Sequence, residues 1–391
     1  MSHLDDDRYR LSYRLYFWIF SFKIIYLLIK FHQRPRVVHR IERPINTCKI
    51  SMKNNDKNMI IMIQSASGKR RHAIWAAVST LFAVAQFRMI MLIIGQDYGA
   101  SINAALGVVR GLPHWRVYQS RVLGPWMVEA LSPFFNDFTS AHVFYTIALT
   151  AIAGWLVLAL TRRRFGDPAS WGAFLLFHLL FIFLLNKPWL YAWDHSGIII
   201  FILFIYFVLS EKDWRWFTAL FSVAIFNRES AFYIALWMVL DPTIKAMLDR
   251  ARPRLAMPLA GLLCLGLGLE VVDQLRERLL VREIGPDLFN MPDMAGKSFH
   301  NQWDLNLAFL RQITTHFSLS FEILIPLFLL AVLGLATVLA WRDPRRYLGL
   351  ALTYGVVVAS MFVAAALQET RVMLELVPFL AMGVWALRKE A

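Results

Sequence analysis

Seven charged residues stand out by type and by place: Asp97, Arg121, Asp194, Arg228, Glu229, Glu369 and Arg371. Each lies inside or just outside an apolar run, where an ionised side chain is costly and calls for a partner or a task. Guanidinium groups match phosphate oxygens in pairs. A carboxylate within hydrogen-bond reach of a hydroxyl can take its proton. Several arginines and a carboxylate gathered in one pocket at lipid level would suit removal of a phosphate leaving group from a lipid-linked donor.

Other chemistries lack their signatures. No Walker loop, GxGxxG after a strand, HExxH or GxSxG occurs in the chain. The two cysteines, Cys48 and Cys264, form neither a CxxC pair nor a Cys/His metal set. Cys264, in "LAGLLCLGLGL", is most simply a small packing residue. A pore would favour a ring of like charge, and a secondary transporter two related halves; no internal repeat is visible.

Local context leaves several roles open. Arg121 in "YQSRVLGPW" either snorkels to headgroups or holds a lipid phosphate. In "NKPWLYAWDHSG" the aromatics Trp189, Tyr191 and Trp193 suit an interfacial belt as well as a sugar-stacking surface. Of Lys297, His300, Asn301 and Asp304 in "GKSFHNQWDLN", most read as a solvated loop. Glu375 needs an inward partner, for which Arg371 at i−4 is the candidate. Arg88, beyond the middle of its apolar run, is expected to turn inward to a carboxylate or a phosphate.

The elements that must position these groups are membrane helices. Hydrophobic residues make up 58% of the 391-residue chain and charged ones 17%, too apolar for a soluble domain of this length. Spans are expected at 74–95, 141–161, 170–186, 195–210, 216–240, 255–272, 318–341, 346–366 and 372–387. The fold class is therefore all-α, a polytopic bundle of about 9–11 membrane helices, with the bilayer as partner. The net charge of +14 sits largely in short loops beside these runs, which argues for anionic lipid and against nucleic acid. Residues 1–61 carry 12 basic and 5 acidic residues and read as a basic extension or a misassigned start. The run from Met62 reads as a basic segment plus membrane anchor, so 62–391 is expected to be one domain.

Charge counting supplies the topology. The clusters "GKRR", "RRR", "KDWR", "KAMLDRARPR", "RDPRR" and "RK" all belong on the cytoplasmic side by the positive-inside rule. They stay together only if 216–240 enters and leaves from that side. Each arm of ~11 residues reaches about 16 Å, enough to turn at mid-membrane. The stretch is thus expected to be a re-entrant hairpin with Asn227-Arg228-Glu229-Ser230 at its apex, in place of one helix with an internal Arg–Glu pair. Segments 96–140, 187–194, 273–317 and 368–371 then fall outside. Within them 101–112 and 305–317 have helical apolar spacing suited to lying in the interface.

The order span, Asp, amphipathic helix and Gly/Pro break in "GQDYGASINAALGVVRGLPHWRVYQSR" resembles the GT-C superfamily of polytopic glycosyltransferases. The basic apex in "IFNRESAF" and the late "ETRVMLELVPFL" are similar to bacterial members. The resemblance implies transfer of a hexosyl or pentosyl unit from a polyprenyl-phosphate-linked donor to a glycan, lipid or protein acceptor at the outer face. It implies Asp97 as the residue that acts as catalytic base or orients the acceptor, with Arg228 and Arg371 on the lipid phosphate beside Arg121. Glu229 would orient Arg228, and Glu369, Arg88, Asp194 and His300 would support the set. Many members carry two acidic residues in the first outer loop; here Gln96 precedes Asp97, and neither a metal nor another cofactor is expected. The implied setting is a multi-pass protein of a bacterial inner membrane, its site facing the periplasm, with the apex and the Asp97 loop in one chamber. A polysaccharide polymerase or ligase, or a transporter or flippase of an anionic lipid or metabolite, remains the alternative.

Overall fold

The computed structural model describes residues 54–113, 115–185, 190–250, 255–281, 301–315 and 321–389. The chain divides into two compact units, Met1–Trp75 and Ala76–Ala391. In the first, the described residues are helical, and His72 meets Trp75 edge-on at 5.2 Å. The second unit is a helical bundle with no strand among its described residues.

In chain order the helices are α1 (Asn54–Ile94), α2 (Tyr98–Val109), α3 (Leu123–Leu131), α4 (Phe138–Phe165), α5 (Asp167–Phe183) and α6 (Ala192–Leu209). They continue as α7 (Trp214–Ala224), α8 (Phe232–Leu248), α9 (Ala256–Leu279), α10 (Trp303–Thr315), α11 (Leu324–Arg342), α12 (Pro344–Ala364) and α13 (Val377–Gly383). Eight candidate spans among the described residues are long and apolar enough to cross a membrane, so the chain is an all-α, multi-pass membrane protein. Local chemistry sets the boundaries. Asp137 accepts from the Ser140 amide at 2.6 Å to start α4, and Gly166, at φ 90°, ends it. Asp343 accepts from the Arg346 amide at 3.1 Å to start α12, with Pro344 as its first residue.

The stretch 216–240 is interrupted, as its charges require. Asn227 and Arg228 close on Ala224 O, Arg228 is extended, and Glu229–Ala231 form a 3₁₀ turn before α8. Ring contacts show that α7 and α8 run antiparallel: Phe217 meets Trp237 at 4.4 Å and Phe221 meets Phe232 at 6.2 Å. The arms differ from expectation in length. The first has 11 residues, but α8 has 17 and, with the 3₁₀ turn, is itself long enough to span.

The hairpin nevertheless begins and ends at one end of the bundle. Arg346 bonds Leu209 O at 2.7 Å and pairs with Glu211 at 2.7 Å, while Arg345 pairs with Asp249 at 2.8 Å. Arg342 reaches Leu387 O at 2.8 Å. The basic loops after α6, α8 and α11 and the final basic pair therefore share this end. Helix α6 runs away from it, carrying Asp194 about 22 Å from Leu209 at 1.5 Å per residue.

Two regions pack otherwise than their periodicity implies. Helix α2 is enclosed by protein on more than one face: Ser101, Ala104, Ala105 and Val108 are buried, against neighbours that include Val128, Tyr145 and Trp193. Its residues are small enough to be enclosed on more than one side. Arg88 is exposed, because the buried stripe of α1 runs through Ser79, Ala83, Gln86, Ile90 and Ile94 and misses it. The inward polar group is Gln86, bonded to His178 at 2.5 Å.

Close backbone approach fixes the turn that carries Arg121. A Cβ at Gly124 would stand 2.8 Å from Ala192 C and Trp193 N of α6. Gly124→Val is therefore expected to cost about 1–3 kcal/mol by overpacking, read as a lowered thermal midpoint in detergent.

Candidate functional site

Site construction begins at the apex of the α7–α8 hairpin. Asn227, 1% exposed, donates to Trp193 O at 2.9 Å and accepts from Ser196, which locks the apex to the first turn of α6. Arg228 then reaches two carboxylates, Asp194 at 3.4 Å and Glu375 at 3.6 Å. Asp194 also accepts from the Tyr191 amide at 2.9 Å, and Ser230 donates to Glu375 at 2.8 Å. Carboxylates at the start of a helix meet the positive end of its dipole, which suits Asp194 to its place in α6.

Three more guanidinium groups surround this centre. Arg371 pairs with Glu369 at 2.6 Å and lies 3.9 Å from Asp194. Arg121 and Arg276 meet on Glu229, at 3.2 Å and 2.6 Å, and Ser120 donates to the same carboxylate at 3.0 Å. Aromatic rings hold two of the cations: Arg121 lies over Tyr118 at 4.8 Å and Trp193 at 5.6 Å, and Arg371 lies over Tyr191 at 4.5 Å. Burial pulls the Arg121 guanidinium below its ordinary range, and Glu229 opposes that fall.

Four arginines and four carboxylates thus balance in charge, yet the cations retain donors. Arg121 Nε, Arg276 Nε and Arg371 Nε and Nη1 are buried and lack a hydrogen-bond partner among the described residues. An unpaired N–H away from water is costly, and anionic oxygens at this point would satisfy it. The arrangement can therefore bind an oxyanion and stabilise charge that develops on one. Among the described residues no group of three His, Cys, Asp or Glu could hold a metal ion.

Of the residues expected from sequence, Arg121, Asp194, Arg228, Glu229, Glu369 and Arg371 come together. Asp97 does not join them: it is exposed in the 3₁₀ turn before α2, and no described ion pair or hydrogen bond links it to these arginines. The reason is the length of α2. Its C-terminal end, at Val108, shares a buried cluster with Tyr118 and Trp193, whereas Tyr98 lies about 15 Å back along the axis. Burial there pushes the Tyr98 phenol up to about 12. Arg88 makes no described contact with the cluster, and His300, with Lys297 and Lys187, lies outside the described residues.

Partners within the cluster also differ from expectation. Glu229 pairs with Arg121 and Arg276, not with Arg228, because the extended backbone at Arg228 sends successive side chains to opposite sides. Glu375 pairs with Arg228 and not with Arg371. Thr370–Leu376 is a 3₁₀ helix, where i and i+3 align and i+4 does not. Tyr191 and Trp193 are buried in an aromatic core, so they form neither a belt nor an open stacking surface.

Arg276 was not singled out from the sequence. Its one signal is orientation: Arg276 and Arg278 stand at the outer end of their span, against the positive-inside rule. No family model, curated protein or solved structure matches the chain.

Proposed function

We propose that this protein is a membrane glycosyltransferase of GT-C type. It takes a sugar from a polyprenyl-phosphate-linked donor and passes it to an acceptor hydroxyl at the outer face of a bacterial inner membrane. The observation that carries this reading is the gathering of Arg121, Arg228, Arg276 and Arg371 at the bundle end opposite the basic loops, with buried N–H groups to spare. By the positive-inside rule that end faces outward.

A groove between α7 and α9 supports the lipid part. It has a volume of about 400 Å³ and is walled by Phe221, Ile225, Phe226, Leu263, Leu267 and Val271. Five residues beyond Val271 along α9 stands Arg276. A hydrocarbon chain in the groove would deliver its phosphate to the guanidinium groups.

In the reaction the acceptor oxygen bonds to the anomeric carbon as the bond from that carbon to the phosphate oxygen breaks. The bonding pair leaves on the phosphate, where Arg276, Arg121 and Arg371 share its charge. The hydroxyl proton passes to a carboxylate. Glu369 is the best placed, since its side chain is 39% exposed and is held by one arginine, whereas Asp194 and Glu375 are enclosed.

Mass spectrometry of membranes from the cell of origin, with and without the gene, tests the reading. Loss of the gene is expected to accumulate a polyprenyl-phosphate sugar and remove a glycosylated product. Unchanged glycans, with transport of an anionic lipid or metabolite into sealed vesicles, would replace the transferase by a transporter.

A further inference from the structure

A second apolar groove lies on the other side of α7. It occupies about 350 Å³ between α6 and α7, with α3 at its upper edge. Leu123, Met127, Ile199, Leu203, Trp216 and Val223 line it, and Ser196 is its only strongly polar lining residue. Met127, Trp216 and Val223 are exposed, so it opens sideways to the hydrocarbon that surrounds the bundle.

Both grooves lead to the same apex. The α7–α9 groove ends at Ile225 and Phe226, immediately before Arg228 and Glu229. The α6–α7 groove ends at Ser196, bonded to Asn227, and at Leu123, whose amide bonds Phe226 O at 2.8 Å. One helix about 10 Å across separates them, so two chains lying along its sides would bring their headgroups together at 227–230.

Their ends differ in charge. The α7–α9 groove runs on to Arg276 and, through Glu229, to Arg121. The α6–α7 groove ends two residues from Asp194, where Arg228 and Arg371 face Asp194, Glu375 and Glu369 and no cation is in excess. An anionic headgroup belongs at the first end, and a neutral hydroxylated headgroup at the second.

We propose that the α6–α7 groove seats the hydrocarbon tail of the acceptor, so that the acceptor is a neutral lipid bearing a free hydroxyl. This rests on the transferase reading above, and names the class of its second substrate. The two substrates enter from the bilayer on opposite sides of α7, and the hydroxyl meets the anomeric carbon at the apex.

The test compares lipids, soluble glycans and proteins from cells of origin that lack the gene and carry the native chain, Ala219→Trp or Leu267→Trp. Ala219 is exposed and lines the α6–α7 groove; Leu267 is exposed and lines the other. The native chain is expected to produce a glycosylated lipid. Ala219→Trp is expected to lower it at least tenfold at equal membrane abundance, by excluding the acceptor tail while the donor still binds. Leu267→Trp should lower the product by excluding the donor. Val223→Trp, at the apex end of the acceptor groove, supplies the result should Ala219→Trp fail to accumulate. A gene-dependent product found on a soluble glycan or a protein, or native product levels in both acceptor-groove variants, would overturn the lipid acceptor and leave the transferase standing. No gene-dependent glycosylated product in any fraction would remove both.

Discussion

Arg228→Ala is expected to lose about 3–5 kcal/mol of stability, because it leaves Glu375 buried without a cation and Asp194 with only Arg371, 3.9 Å away. The side chain is 13% exposed and bridges carboxylates from two distant segments, so solvent can relieve little of that loss. Chemical or thermal unfolding in detergent reads the effect. Arg228→Lys should recover only part of it, since a compact ammonium does not span two carboxylates as a planar guanidinium does. Adding Glu375→Gln to Arg228→Ala should recover more, because it removes one of the stranded charges. A double-mutant cycle without such coupling would show that Arg228 does not join the hairpin apex to the final segment energetically.

The second large effect concerns the proton. Glu369→Gln is expected to lower sugar transfer by roughly 10²–10⁴, the range for loss of a positioned general base, with little change in stability because the residue is half-exposed. Asp97→Asn should stay near the native rate. The contrast is measured by turnover in membranes at matched abundance, with donor binding followed separately. A large loss for Asp97→Asn and none for Glu369→Gln would return the base to the first outer turn and refute the assignment made here. Equal losses in both would implicate motion of α2 toward the arginines.

Charge and hydropathy alone made much of the bundle legible. Nine apolar runs marked the helices, and the placement of basic clusters required 216–240 to return to its own side. The structure breaks that stretch at Asn227 and Arg228, as expected. The membrane makes this possible: a bilayer penalises every misplaced charge, so one-dimensional charge order carries topological information. Amphipathic spacing was less informative for α2, because small residues can be enclosed on more than one side and Ala104 and Ala105 are.

Pairing within the site was not legible to the same degree. Asp97 and Arg121 are 24 residues apart and share one loop, yet a straight helix keeps the aspartate away from the cluster. Glu375 and Arg371 have the spacing of an α-helical pair, but a 3₁₀ backbone turns them apart. Arg276 carries no sign of its partner along the chain; packing alone sets it 2.6 Å from Glu229. The grooves beside α7 were likewise invisible, since each needs walls from helices remote in sequence.

Charge order and hydropathy alone thus specify an all-α membrane bundle and the break within 216–240. Tertiary structure alone decided which arginine meets which carboxylate, and which candidate base is left outside. The division follows from range. Transfer of a residue into lipid depends on its own chemistry and its near neighbours along one helix, whereas an ion pair depends on distances of a few ångströms between helices that only packing sets.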